Sequence, residues 1–190
     1  MPRNKVIYFI AATAVGIIAG ASNLLAAQSV DDRFGSARKI DTQHFTVYFA
    51  PSIDLPELAQ SFNIRASDDV LTGRSSGAGL EGMIDTLFSL ACDILDMQLY
   101  SYHGTIKICP DQAKLDEIYN TLFNKSLQSR KPFYVYDLDT IYISADSFTR
   151  EILGHEMGHA IISHYFVVLP SVKIQEVLAA YVEYQLRKHP

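Results

Sequence analysis

The chain has few basic residues, and this shortage limits the partners it can have. Sixteen Lys and Arg stand against 21 Asp and Glu, which gives a net charge of −5 at pH 7. An acidic chain argues against nucleic acid as a partner, because phosphate backbones are bound by clustered cations. No internal repeat and no long low-complexity tract is visible. The composition therefore predicts a globular protein.

Cysteine is also scarce, with only Cys92 and Cys109 present. A pair so placed does not resemble a structural zinc site. In an oxidising compartment the two thiols could form a disulfide. The alternative is that Cys92 is a small core residue on an apolar helix, and the sequence leaves both open.

A phosphate-binding loop is missing as well. Residues 73–79 are rich in Gly and Ser and predict a flexible loop. They lack the preceding strand and the Gly-Lys-Ser/Thr ending of a phosphate cradle. A nucleotide is therefore not expected as a ligand.

Charge is absent from a long segment near the N-terminus. Arg3 and Lys5 precede an uncharged run over residues 6–27, which ends in Leu-Ala-Ala. This layout predicts a secretory signal peptide over residues 1–27, cleaved after Ala27. The run is also long enough to stay as an uncleaved membrane anchor, and membrane contact is expected only in that case. The protein is accordingly predicted to be exported, to the periplasm or the extracellular space.

Residues 28–190 remain as a single predicted domain. They carry 14 Lys and Arg against 21 acidic residues, because residues 1–27 contain two of the 16 basic residues and no acidic one, so the net charge becomes 14 − 21 = −7. A chain of this length can bury one substantial core.

The sequence His-Glu-Met-Gly-His at residues 155–159 is the strongest functional signal. Two imidazoles four residues apart on a helix point the same way and can bind one metal ion. Glu156, between His155 and His159, can hold a water molecule against that metal. The alternatives are two buried histidines satisfied by ordinary hydrogen bonds, or a motif that arose by chance.

The helix predicted around the motif places both histidines on an apolar stripe. Its members recur at spacings of four, three, four and three: Phe148, Ile152, His155, His159 and Ile162. Such a stripe faces the interior, where an unpaired imidazole is costly. Gly154 and Gly158 each cost about 1 kcal/mol relative to alanine, which indicates that another backbone packs closely there. Asp146 or Ser147 is the predicted N-cap.

A catalytic zinc site needs a third protein ligand and an open position. A metzincin would place a histidine six residues after His159, where this chain has Tyr165. His164 lies on the opposite side of the helix from the motif. A second helix predicted over residues 172–188 carries Glu176 and Glu183, which are seven apart and share one face. Solvated glutamates are the alternative interpretation.

The stretch Gln-Glu-Val-Leu-Ala-Ala-Tyr-Val-Glu at residues 175–183 resembles the gluzincin metallopeptidases. It is similar to their aminopeptidase-type pattern E-x-x-A-x-Y-x-E, which follows H-E-x-x-H on a second helix. The resemblance covers residues 133–188. It implies Zn2+ as the cofactor, with His155, His159 and Glu176 as its ligands. It also implies that Glu183 is a supporting acid that orients a ligating histidine, and Glu183 is the reserve candidate for third ligand.

The function that the resemblance implies is zinc-dependent hydrolysis of a peptide or protein substrate. Water activated at zinc would attack the peptide bond, with Glu156 as the general base. The donor to the oxyanion stays unassigned among several tyrosines: Tyr142, Tyr165, Tyr181 and Tyr184. The alternative function is a peptidase-like binding or assembly protein of the cell envelope that retains zinc without proteolysis.

The expected fold is α+β and zincin-like, with a small mixed β-sheet packed against the motif helix and the following Glu-bearing helix. Strands are predicted at 44–49 and 105–108 and as two runs within 132–144, and helices at 54–64, 80–97 and 111–127. The resemblance implies that residues 141–144 border the cleft and pair with an extended substrate. An ordinary buried hairpin is the alternative. His44, His103 and His189 are expected to lie outside the site.

Overall fold

A five-stranded mixed sheet lies at the centre of the structure, a computed structural model that describes residues 31–62, 79–126 and 131–188. The strands are β1 (Arg38–Asp41), β2 (Phe45–Phe49), β3 (Gly104–Cys109), β4 (Phe133–Val135) and β5 (Thr140–Ser144). They are arranged in the order β1-β2-β3-β5-β4. Strands β2, β3 and β5 are parallel, and β1 and β4 pair antiparallel with their neighbours at the two edges.

Five helices accompany the sheet within these residues. They are α1 (Leu55–Phe62), α2 (Leu80–Leu95), α3 (Gln112–Phe123), α4 (Arg150–Tyr165) and α5 (Val172–Lys188). The predicted α+β class is confirmed. The ends of two helices differ from the prediction, because Asp96 and Asn124 adopt left-handed conformations with φ of 54° and 50° that terminate α2 and α3.

Some predictions fall on parts of the chain that the structure does not describe. These are the signal peptide or anchor over residues 1–27, the end of the first helix, the loop up to residue 78, and His189.

Strand β1 was not predicted, because its four residues are mostly exposed and do not alternate between buried and exposed side chains. In the described part of the chain, no helix is both long and apolar enough to pass through a bilayer.

Helices cover both faces of the sheet. On one face α3 packs over a small cluster of Cys109, Leu115, Ile118 and Tyr142. The other face carries the larger core, to which α2, α4 and α5 contribute. Every residue of β5 is buried, since the strand is interior and covered on both faces.

The two cysteines lie in different parts of the core and form no disulfide. Cys92 belongs to the larger core on the α2 side, and Cys109 to the cluster under α3. Both cysteines are buried and neither is in a disulfide, and burial raises the pKa of Cys109 to about 12. The disulfide considered from the sequence is therefore wrong for this fold, and the alternative of a core residue at Cys92 is confirmed.

The position of β5 corrects a second expectation. Residues 141–144 were expected at the edge of the cleft, where they could pair with a substrate. Strand β5 instead pairs with β3 on one side and β4 on the other, so its main chain has no free edge. The alternative of a buried hairpin is confirmed. The edge strand beside α4 is β4.

A buried ion pair ties the segment before β1 to the sheet. Asp32 is 5% exposed and accepts hydrogen bonds from the Tyr142 hydroxyl at 2.6 Å and from the Lys107 ammonium. Burial by itself raises the pKa of Asp32, but the hydrogen bonds from Lys107, Tyr142 and the backbone N–H of Phe34 outweigh it. The pKa therefore lies below its usual value.

Asp32→Asn is expected to lower the free energy of unfolding by about 2 kcal/mol at pH 7, because it removes the charge that Lys107 faces. Since the folded pKa is depressed, this contribution is complete above the unfolded pKa of about 3.9 and is lost as pH falls through the folded value. Urea unfolding at pH 7 and at low pH measures the difference, with the exposed Asp31→Asn as control. Equal stability of Asp32→Asn and the parent at pH 7 would contradict this interpretation.

Candidate metal centre

Helix α4 carries the motif and is buried around most of its circumference. It packs against α2, α5 and the strands β4 and β5. Its N-cap is Thr149, whose hydroxyl accepts a hydrogen bond from the backbone N–H of Ile152 at 3.4 Å. The predicted caps Asp146 and Ser147 are wrong, because they lie in a separate 3-10 turn, Ala145–Ser147.

The close approach of α5 to α4 agrees with the prediction from the two glycines. A Cβ atom at Gly158 would lie 3.2 Å from the Cα of Ala179 on α5. A Cβ atom at Gly154 would overlap the side chain of Leu186. Glycine at both positions therefore lets α5 lie directly on α4, next to the two histidines.

His155, His159 and Glu176 come together between the two helices. Nε2 of His155 lies 3.9 Å from Oε2 of Glu176, and Nε2 of His159 lies 3.6 Å from Oε1. One potential ligand atom of each residue lies within 4.8 Å of the others. Ligand atoms about 2.1 Å from a tetrahedral zinc are about 3.4 Å apart, so the observed distances are close to those of such a site.

The donor set suits zinc. Two imidazole nitrogens and one carboxylate oxygen form a common catalytic set, which leaves one position open. The Glu176 side chain is 53% exposed, so solvent reaches the cluster from its side, whereas the His159 side chain is 9% exposed. Burial, and then the nearby His155, lower the pKa of His159 to about 4. That imidazole is neutral at pH 7, as a metal ligand must be.

Glu183 lies on the other side of the His155 ring. Its Oε2 is 3.2 Å from Nδ1 of His155, although the angle is not that of a hydrogen bond. Its Oε1 accepts a hydrogen bond from Arg187 at 2.5 Å. Glu176 therefore faces Nε2 and Glu183 faces Nδ1. This geometry favours Glu183 as an acid that orients His155 over its reserve role as third ligand.

Glu156 is buried beside these groups, with 6% of its surface exposed. Burial raises the pKa of its carboxyl to about 8, and the carboxylates of Glu176 and Glu183 also raise it. Lys131 and the backbone N–H of Tyr134 act in the opposite direction. The buried carboxyl is therefore adjacent both to the acids of α5 and to strand β4, and a bound cation would favour its ionised form.

The other described histidines lie outside this cluster, as the sequence predicted. Nε2 of His164 is 3.1 Å from Oδ1 of Asp139, and Nδ1 of His44 is 3.2 Å from the carbonyl oxygen of Tyr102. His103 is exposed, with Nε2 3.1 Å from the hydroxyl of Thr46. All three have structural partners.

The tyrosines considered as oxyanion donors are placed very differently. Tyr142 is fully buried and donates to Asp32 under α3, so it does not face the cluster. Tyr165, Tyr181 and Tyr184 are all about half exposed.

The sequence also missed a polar cluster around Asp139, whose members come from distant parts of the chain. An aspartate in the short turn between two predicted strands was the only local signal for it.

Comparison with known proteins yields no relative: no family model, no curated protein and no solved structure matches this chain. The arguments for its function therefore come from its own residues. The strongest of them are the spacing of the motif and the geometry of the side chains around it.

Proposed function

We propose that this protein is an exported, zinc-dependent metallopeptidase of the gluzincin type, with a zincin-like arrangement of sheet and helices. One observation carries the proposal. The Nε2 atoms of His155 and His159 face the two carboxylate oxygens of Glu176 at 3.9 and 3.6 Å, with Glu156 buried alongside. The export part rests on the signal-like run at residues 6–27.

His155, His159 and Glu176 would hold Zn2+, which supplies Lewis-acid activation of water and of the scissile carbonyl. The carboxylate of Glu156 takes the proton from the attacking water and passes it to the nitrogen of the departing amine. Glu183 faces Nδ1 of His155, the position from which an acid would orient that ring in the zinc-bound protein. Packing of α5 on α4 at Gly158 holds the acidic residues of α5 beside the motif.

Strand β4 offers a place for the substrate backbone. It pairs with β5 along one side, and it packs against helix α4, which carries Glu156. An extended peptide can add to such an edge through main-chain hydrogen bonds. A peptide bound in this way would run directly past the general base.

An unbiased pool of peptides tests the proposal. The zinc-loaded protein is expected to cleave members of the pool, to lose this activity when zinc is removed by a chelator, and to regain it when zinc is restored. Mass spectrometry of the products measures cleavage. Zinc bound at one ion per chain without any cleavage would contradict the peptidase assignment.

The second candidate is a binding or assembly protein of the cell envelope that retains zinc without proteolysis. Several large apolar side chains favour it, because they are exposed on α5 and in the loop before it: Val167, Val168, Ile174, Val177, Tyr181 and Tyr184. Clustered exposed apolar residues often mark contact surfaces. Zinc binding without cleavage in the peptide pool is the result that this candidate requires.

A further inference from the structure

Side chains from separate elements meet at Asp139, in the turn before β5. Oδ1 of Asp139 accepts hydrogen bonds from the hydroxyls of Tyr102 and Tyr134, each at 2.8 Å. The same oxygen lies 3.1 Å from Nε2 of His164 in the last turn of α4. This network joins the edge strand β4 to the loop before β3 and to the motif helix.

The backbone conformation of Asp139 is energetically unfavourable and is held in place by hydrogen bonds. Its φ is +45°, in the left-handed region that non-glycine residues seldom adopt. Its backbone N–H donates to the carbonyl of Tyr136, and its own carbonyl accepts from the N–H of Thr105. These two backbone hydrogen bonds hold the turn in place, and the carboxylate of Asp139 faces the two tyrosines.

The tyrosines of the network act as donors throughout the accessible pH range. Tyr102 is buried and Tyr134 is half-buried. Burial, and then the Asp139 carboxylate, raise the pKa of both hydroxyls well above the ordinary value. Both hydroxyls stay protonated, so each hydrogen bond to Asp139 is charge-assisted and strong.

Tyr134 connects the network to the candidate metal centre. Its hydroxyl is held by Asp139, while the strand that carries it, β4, packs against helix α4, which carries Glu156. Strand β4 is three residues long and pairs with β5 on one side. So short an edge strand makes few backbone hydrogen bonds. The anchored side chain of Tyr134 therefore determines the position of the main chain of β4.

We propose that Asp139 and Tyr134 are positioning residues, which hold strand β4 against helix α4 so that a peptide added to this edge is aligned with the metal centre. The inference rests on the proposed function. Cleavage of a peptide long enough to pair with β4 depends on this position of the strand. Small peptides that reach only the metal do not depend on the network.

Two conservative variants test the network, and one matched variant controls for them. Tyr134→Phe removes one hydroxyl, and Asp139→Asn removes the charge but keeps a residue that tolerates the left-handed turn. Tyr136→Phe is the control, because its hydroxyl makes no hydrogen bond with any residue in the described ranges. All three proteins are compared with the parent in the zinc-loaded form.

The first measurement is amide hydrogen exchange of the segment containing residues 133–135. Exchange there is expected to be at least about tenfold faster in Tyr134→Phe and Asp139→Asn, because local opening follows the loss of contacts. Tyr136→Phe is expected to match the parent. Unchanged exchange in both test variants overturns the proposal, whether or not the protein hydrolyses peptides.

The second measurement separates KM from kcat for a hexapeptide and a tripeptide taken from the cleaved sequences of the pool. The KM for the hexapeptide is expected to rise about tenfold in both test variants, while kcat stays within about threefold of the parent. This pattern is expected when a variant loses binding energy that acts equally on the substrate and on the transition state. Tripeptide cleavage should not change. Equal losses for both lengths overturn the proposal, since they indicate general disruption. Faster exchange together with no hydrolysis by the parent supports the anchoring of β4 and rejects the peptidase function.

Discussion

Glu156→Gln is expected to lower kcat for peptide hydrolysis by about 10³-fold, within the usual range for loss of a general base. Glutamine has the same shape but cannot take a proton from water. The variant should keep one zinc per chain, because Glu156 is not among the three residues whose ligand atoms converge. It should also fold normally, since a neutral amide fits a buried position where the carboxyl itself has a pKa of about 8.

Glu151→Gln is the matched control for this experiment. It makes the same chemical change in the first turn of the same helix, outside the motif and outside the three residues whose ligand atoms converge. Initial rates on a cleaved peptide and the zinc content of each purified protein are the measurements. A Glu156→Gln protein that cleaves as fast as the parent would show that the general base has been assigned wrongly.

Glu176→Ala is expected to weaken zinc binding by more than about 100-fold, and Glu183→Gln by about 10- to 100-fold, since orienting acids typically contribute that much. The difference follows from the geometry at His155. Glu176 faces Nε2, where a shared ion would lie, and Glu183 faces Nδ1. Glu176 is exposed, so its loss should hardly change the stability of the zinc-free protein.

Competition with a chelator and the zinc dependence of thermal unfolding both measure this difference. At a free zinc concentration of about 100 times Kd, binding stabilises the parent by about 2.7 kcal/mol. The melting temperature of the parent should therefore rise with zinc, and that of Glu176→Ala should not rise at the same concentration. If Glu183→Gln loses more affinity than Glu176→Ala, Glu183 is the third ligand.

The parts of the candidate site that the sequence predicted are those that depend on helix geometry. Two histidines four residues apart share a helix face wherever the helix packs, and Glu176 and Glu183 do the same on the next helix. Gly154 and Gly158 signalled close helix packing for a local reason as well, because glycine is costly in a helix and needs a compensating contact. In the structure that contact is α5.

The parts that the sequence did not predict depend on contacts between distant segments. Whether β5 or β4 forms the edge is decided by the pairing of β5 with β3, across more than 30 residues of chain. The network at Asp139 joins residues from four separate elements or loops. Cys92 and Cys109 end in different core clusters for the same reason. Local patterns do not determine such pairings.

Anomalous X-ray diffraction at the zinc absorption edge, on crystals of the zinc-loaded protein, tests the central claim most directly. The expected result is one zinc ion per chain, about 2.0 to 2.2 Å from Nε2 of His155, Nε2 of His159 and one carboxylate oxygen of Glu176. A protein that binds no zinc, or a zinc ion located away from these three side chains, would contradict it.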